Sequence, residues 1–289
     1  MRLLVVGAAG MLGLDVLRAG ERAGHELIGL DLPEIDITEE ASVAGALARA
    51  APEAVVNCAA WTDVDGAEAH AEQARAVNAR GAGILARAAA DSGTPLLHLS
   101  TDYVFSGEAP RDAAGAPRAY LESDAPAPRS VYGASKLEGE QEVLSASPRH
   151  TVVRSAWLFG IGGRNFVETM LGLARERDAV QVVVDQVGCP TWTGHLAPAL
   201  LGLLERDVRG LVHLAGTGAV SWNEFAREIF RQAEVSCAVQ DATSEQIARP
   251  APRPAWSALE SERDDVLPMP PWQDGLAGYL AARAGMMRA

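Results

Sequence analysis

Short apolar runs that end in glycine, asparagine or serine alternate with longer amphipathic stretches over the first part of the chain. Leu3-Leu-Val-Val6 leads into Gly7-Ala-Ala-Gly10-Met-Leu-Gly13, and a helical pattern follows through Leu17 to about Ala23. Continuous apolar runs of this length read as buried parallel strands. Glu26-Leu-Ile-Gly-Leu-Asp31 is a second strand, and Glu53-Ala-Val-Val-Asn57 a third, continued by the small residues Cys58-Ala-Ala60. Between them Thr38 reads as a helix N-cap, with Glu39 and Glu40 in the first turn. Trp61 to Gly66 reads as a loop, and an alanine-rich helix is expected from about Glu72 to Ala90. Pro95-Leu-Leu-His-Leu99 is a fourth strand ending at Ser100-Thr-Asp102, and Thr151 to Ala156 a fifth. Residues 106–129 show no period and read as a surface loop long enough to be a lid. Strand and helix alternate to about residue 157, which predicts an α/β fold with a doubly wound parallel sheet.

The alternation loosens after Gly160. Helices are expected over Asn165–Ala174, Leu196–Leu204, Trp222–Ala233 and Gln273–Ala284, with strands at Val180–Val184 and Leu211–Leu214. This predicts one unit over 1–160, to which the helix and strand at about 195–215 return. A smaller C-terminal lobe, from 161–194 and 216–289, would sit over the sheet's carboxyl edge.

The glycine spacing G-x-x-G-x-x-G between strand and helix suits a turn that lets a pyrophosphate approach the backbone. Asp31 ends the second strand 18 residues after Gly13, near where a carboxylate meets an adenosine ribose 2′-hydroxyl; it favours NADH over NADPH by repelling a 2′-phosphate. Thr101 stands at a strand's carboxyl end, where open α/β sheets place ligands. Tyr132 and Lys136 lie four apart, which puts a phenol and an ammonium on one helix face. The chain has 24 arginines and this single lysine. With four tyrosines in 289 residues, a lone lysine falls four after one of them by chance about 1% of the time. An ammonium there is expected to lower the tyrosine pKa from about 10 and make it a usable general acid.

A net charge of −13 argues against nonspecific nucleic-acid or membrane binding. A helix N-terminus can still hold phosphate against that global charge. Cys58, Cys189 and Cys237 show neither metal spacing nor an even disulfide set, which reads as a reducing, cytoplasmic setting. The chain enters a strand directly, with no signal peptide pattern and no apolar run near 18 residues.

Together the glycines, Thr101 and the Tyr132/Lys136 pair resemble an extended short-chain dehydrogenase/reductase with a Rossmann-like sheet. Asn57 to Glu68, Ser100-Thr-Asp-Tyr-Val-Phe105, Val131 to Lys136, Arg154-Ser-Ala-Trp157, Asn165-Phe166, Asp185 to Thr191, His213 to Gly216 and Arg253 to Ser257 narrow the likeness. Over nearly the whole chain it is similar to the dTDP-4-dehydrorhamnose reductase family. The resemblance implies an NADPH- or NADH-dependent reductase of a dTDP-linked 4-keto-6-deoxysugar, with Tyr132 as general acid, Lys136 on the nicotinamide ribose and Thr101 on the carbonyl oxygen. It places Gly7, Gly10, Met11, Leu12 and Gly13 at the pyrophosphate, and Asp31, Asp36 and Ile37 at the adenosine. Ala59, Ala60 and Thr62 would flank the cofactor, and Asp102, Trp157 and Asn165 would face the sugar nucleotide.

Some members of that family dimerise through a Mg2+ site of glutamates. Here one such place reads Trp192-Thr-Gly194 without a carboxylate, and Asp15 could replace another. The site is therefore incomplete, no metal is assigned, and monomer and homodimer both stay open. A 4,6-dehydratase would want a second acid directly after Asp102, where Tyr103 stands. Two alternatives remain: a reductase of another nucleotide-linked 4-keto deoxysugar, such as that of the streptose branch, and a noncatalytic regulatory subunit on the same fold.

Overall fold

The computed structural model describes residues 1–286. Six parallel strands form the main sheet: β1 (Arg2–Val6), β2 (Glu26–Leu30), β3 (Ala54–Asn57), β4 (Leu96–Thr101), β5 (Thr151–Ser155) and, later in the chain, β10 (Gly210–His213). Their order is β10-β5-β4-β3-β1-β2. The chain reverses its direction of growth between β1 and β3, and a doubly wound sheet opens its ligand crevice at such a point.

Helices cover both faces, as parallel strands buried on two sides require. One face is closed by α1 (Met11–Arg22) and α8 (Thr193–Glu205), with Leu12, Val16, Leu196 and Leu200 packed on Leu3, Val5 and Val56. The other is closed by α2 (Glu40–Ala50), α5 (Ala82–Asp91) and α6 (Val131–Ala146), with Val43, Leu47, Leu85 and Val143 packed on Leu4, Val6 and Val55. The helix and strand expected at 195–215 do return to this sheet: β10 pairs with β5 from Gly210↔Thr151 to His213↔Arg154.

A further apolar cluster joins the later elements. It is built by α7 (Phe166–Leu173), β7 (Ala179–Val183), α9 (Trp222–Gln232), β12 (Ala238–Ala242) and α10 (Trp272–Met286). Ser221 closes a capping box with Glu224 at the start of α9. The short pairs β6 (Leu158–Phe159) with β9 (Thr191–Trp192), and β8 (Val187–Gly188) with β11 (Val220–Ser221), tie this region to the end of β5.

Several local expectations are corrected. Thr38 is not a cap: Glu39 precedes α2, while Thr38 N and Oγ1 both donate to Asp36 Oδ1 in an Asx turn. The stretch after Trp61 is not all loop, because α3 (Val64–Ala69) starts at Asp63, whose carboxylate accepts from Gly66 N. The alanine-rich helix is α4 (Ala71–Arg75) followed by a π-helical turn over Ala76–Gly81, and only then α5. That turn points Asn78 inward, so its amide bonds both main-chain groups of Trp61 and the hydroxyl of Ser135. Residues 106–129 are anchored at their base. Arg118 and Asp124 lock the segment in a bidentate pair, and Tyr120 stacks on Phe105 beneath Ala258 and Leu259. Strand β12 carries no legible pattern in Ala238-Val-Gln-Asp-Ala242 and forms only because β7 supplies a parallel partner.

Candidate active site

A groove of about 710 Å³ opens at the crevice between β1 and β3. Gly7, Gly10, Met11, Leu12, Gly13, Asp31, Asp36, Ile37, Ala59, Ala60, Thr62, Tyr132 and Lys136 all line it. Gly7 turns the chain at φ +78°, where a Cβ would lie 2.6 Å from Ala59 N, so the turn can pass beneath the β3 loop only as glycine. Helix α1 then starts on Gly10, which offers no side-chain cap. The first N–H groups of a helix have no partner within it. Here no side chain covers them, and they form a positive cradle that fits a pyrophosphate.

Asp31 lines the far wall. Its carboxylate accepts from Ala9 N at 2.9 Å and Leu32 N at 2.9 Å, so it also braces the glycine turn. Residues 162–164, Leu158 and Val77 also line the groove, and nothing in their local pattern separates them from ordinary loop, strand and helix.

At the groove's inner end α6 presents Tyr132 and Lys136. Ser130 caps this helix through Gly133 N, and Gly139 lets it lie against the π turn, where a Cβ would meet Asn78 O at 2.0 Å. Tyr132 packs edge-on against Tyr103 at 5.5 Å. Thr101, at the end of β4, lies close enough to the Tyr132 hydroxyl to influence it and donates to Asp102 Oδ1 at 3.0 Å.

The pKa pattern corrects the expectation drawn from the spacing. Burial pushes the Tyr132 phenol up to about 12, and Thr101 only partly opposes this. Lys136 does not offset it, because its Nζ turns inward and donates to Leu99 O at 2.6 Å. Burial in turn lowers Lys136 to about 8, against the pull of Glu140 and Cys58.

Asp102 is 2% exposed, and burial raises its carboxyl to about 6, with the hydrogen bond from Thr101 among the opposing effects. This sets a pH dependence of stability. The folded group holds its proton more tightly than the unfolded one, so the penalty for ionising it in place is absent well below pH 4 and complete above about pH 6. A shift of about 2 units corresponds to about 3 kcal/mol. Asp102→Asn should therefore be more stable than the wild type by about 2–3 kcal/mol at pH 8, with the gap narrowing by pH 5. Urea unfolding at the two pH values checks this, and a gap independent of pH would refute it.

Trp157 sits at φ +49°, a strained position for a bulky residue, and stacks on Trp222 at 3.5 Å and 4°. Asn165 stands at the start of α7. It caps α7 through Glu168 N and donates to Gly160 O and Gly163 O, so its amide pins the turn that ends the groove.

A neighbouring cavity of about 720 Å³ is lined by Tyr103, Phe166, Gln186, Trp222, Arg249 and Arg253 among others. Arg253 grips Asp65 of α3 with both nitrogens, at 2.5 and 2.9 Å. Its neighbourhood in Arg253-Pro-Ala-Trp-Ser257 was the only sequence signal for it.

Asp15 Oδ2 accepts from Thr193 and Oδ1 from Arg18. Among the described residues no group of three or more His, Cys, Asp or Glu is placed to hold a metal ion, and no helix is long and apolar enough to cross a membrane.

Comparison with known proteins covers nearly the whole chain. The family model described as RmlD substrate binding domain matches residues 1–284. The chain is 43% identical over 290 residues to dTDP-4-dehydrorhamnose reductase of Mycobacterium tuberculosis, covering 98% of this chain and 93% of that protein. It is similar to the crystal structure of a dTDP-4-dehydrorhamnose reductase from Clostridium acetobutylicum, with TM-score 0.93 and 37% identity over 98% of this chain and 100% of that one. It also resembles dTDP-4-dehydrorhamnose reductase from Bacillus anthracis in complex with NADP, with TM-score 0.92 and 34% identity over 97% of this chain and 99% of that one.

Proposed function

Because the chain belongs to the RmlD substrate binding domain family, we propose that it is an oxidoreductase that reduces the C4 ketone of dTDP-4-dehydrorhamnose to dTDP-L-rhamnose. The cofactor is NADPH or NADH. The observation that carries this reading is the meeting of Thr101, Tyr132 and Lys136 at the inner end of a groove shaped for a dinucleotide.

Gly7, Gly10, Met11, Leu12 and Gly13 hold the pyrophosphate at the open first turn of α1, with Asp31, Asp36 and Ile37 on the adenosine side and Ala59, Ala60 and Thr62 along the flank. Lys136 holds the nicotinamide ribose. When bound, the nicotinamide supplies the hydride. Tyr132 gives its proton to the sugar's C4 oxygen as negative charge grows there. Thr101 keeps the Tyr132 hydroxyl aligned until that oxygen arrives, because its own proton is directed to Asp102. Asp102 and Trp157 face the sugar nucleotide, and Asn165 acts through the turn it pins. In this reading residues 1–160 with 195–215 serve the cofactor. Residues 161–194 and those from 216 onward serve the sugar nucleotide, whose charge suits Arg249 and Arg253 in the second cavity.

The test is loss of absorbance from NADPH and from NADH with dTDP-4-dehydro-L-rhamnose. Oxidation that requires the sugar supports the reading; cofactor binding without oxidation would overturn it. The same assay addresses Asp31. Its charge opposes a 2′-phosphate, so Asp31→Ser should raise kcat/KM for NADPH relative to NADH by about tenfold, the equivalent of about 1.4 kcal/mol of charge repulsion. An unchanged ratio would remove Asp31 from cofactor choice.

A further inference from the structure

Behind Lys136 lies a buried polar chain that the proposed mechanism does not use. Lys136 Nζ lies 3.2 Å from His98 Nε2. On the other side of the ring, His98 Nδ1 lies 3.0 Å from Asn57 Nδ2. Asn57 Oδ1 accepts from Ala59 N at 3.1 Å. Asn57 and His98 are fully buried, and Lys136 is 2% exposed.

The hydrogens in this chain are determined by its far end. A backbone N–H only donates, so the Ala59 contact places the Asn57 oxygen on that side. The Asn57 amide nitrogen then faces His98 Nδ1 and donates to it. A neutral imidazole has one N–H, so Nδ1 accepts and Nε2 carries the hydrogen. Burial keeps His98 neutral by lowering its pKa well below 6.5. The Nε2–H is thus aimed at Lys136 Nζ. A neutral amine has a lone pair to receive it, whereas an ammonium has three donors and no acceptor.

We infer that His98, held by Asn57 as the Nε2–H tautomer, is a positioning residue for Lys136: it seats the neutral amine inward on the Leu99 carbonyl and turns the ammonium outward toward Tyr132. This rests on the role given to Lys136 above. The charge then reaches the phenol only when Lys136 is protonated, and the inward seat is reserved for the uncharged form. The other ionisable groups around the amine are Tyr132 and Glu140 from α6 and Cys58 after β3. Glu140 and Cys58 favour the ammonium, and Glu140 is itself paired with Arg154.

The single lysine makes the test direct, because protein labelled with 13Cε-lysine gives one lysine resonance. In the free wild-type protein its titration midpoint is expected near 8. Asn57→Ala frees the ring to take the other tautomer and accept from the ammonium, and His98→Gln can present an oxygen there. Both should raise the midpoint by about one unit, which is tenfold in proton affinity. A midpoint unchanged in both variants would overturn the inference. If the variants do not fold, 15N-histidine spectra of the wild type decide: a protonated Nε2 with a bare Nδ1 on His98 supports it, and a protonated Nδ1 refutes it. No substrate enters either measurement. A chain that shows the lysine shift but oxidises no nicotinamide would sink the proposed function alone, and active enzyme with an unshifted lysine would sink this inference alone.

Discussion

Tyr132→Phe is expected to lower turnover by about 10²–10⁴-fold while leaving cofactor affinity nearly unchanged, because general acid catalysis contributes about that much. The substitution removes one oxygen and keeps the ring that packs against Tyr103 and lines the groove. The raised phenol pKa is consistent with the direction of the reaction. At about 12 the hydroxyl is fully protonated at neutral pH, which is what reduction requires of its acid. As negative charge grows on the substrate oxygen, that oxygen becomes basic enough to take the proton. Lys136, seated on the Leu99 carbonyl, must move outward to favour the phenolate that is left. Steady-state rates with saturating sugar nucleotide, alongside cofactor binding followed by fluorescence, separate the two effects. Turnover like the wild type's in Tyr132→Phe would exclude the phenol as the acid.

The main sheet was legible because its signals are local. Leu3 to Val6, Glu26 to Leu30, Ala54 to Asn57 and Leu96 to Thr101 are short apolar runs, each ending where chemistry begins. The groove residues were legible for the same reason: they lie at the ends of those runs, and a doubly wound sheet brings those ends together. Features set by tertiary partners were not legible. The spacing of Tyr132 and Lys136 showed that they share a helix face, but not that the lysine would find a carbonyl and a histidine behind it. Asn165 in its sequence looks like a polar residue available to a ligand, and only the carbonyls of Gly160 and Gly163 reveal where its amide goes. The 106–129 segment lacks periodicity, and only the Arg118–Asp124 pair and the Tyr120–Phe105 stack reveal how its base is anchored. Both depend on contacts that no hydrophobic period encodes.

Glu140→Ala should destabilise the fold by about 3–5 kcal/mol, the range for removing one partner of a buried ion pair. Glu140 and Arg154 side chains are each 3% exposed and meet in two bonds, Arg154 Nε to Oε1 at 2.9 Å and an η nitrogen to Oε2 at 2.6 Å. Ser100 adds a third contact to Glu140, at 2.5 Å. Alanine would leave the guanidinium against the Phe105 ring with no anion to balance it. A domain's total stability is about 5–15 kcal/mol, so the loss should be plain in a urea unfolding curve. The double variant Glu140→Leu with Arg154→Met removes both charges and should recover much of that loss, since replacing a buried pair with apolar side chains is often neutral. A loss below about 1 kcal/mol in Glu140→Ala would mean that water reaches the pair. The same carboxylate lies one turn along α6 from Lys136 and favours its protonated form. In protein that remains folded, Glu140→Ala should therefore lower the Lys136 midpoint further, opposite in sign to the effect of Asn57→Ala. The two substitutions together would show that the single ammonium is balanced between an anion on its own helix and a donor on the strand beneath it.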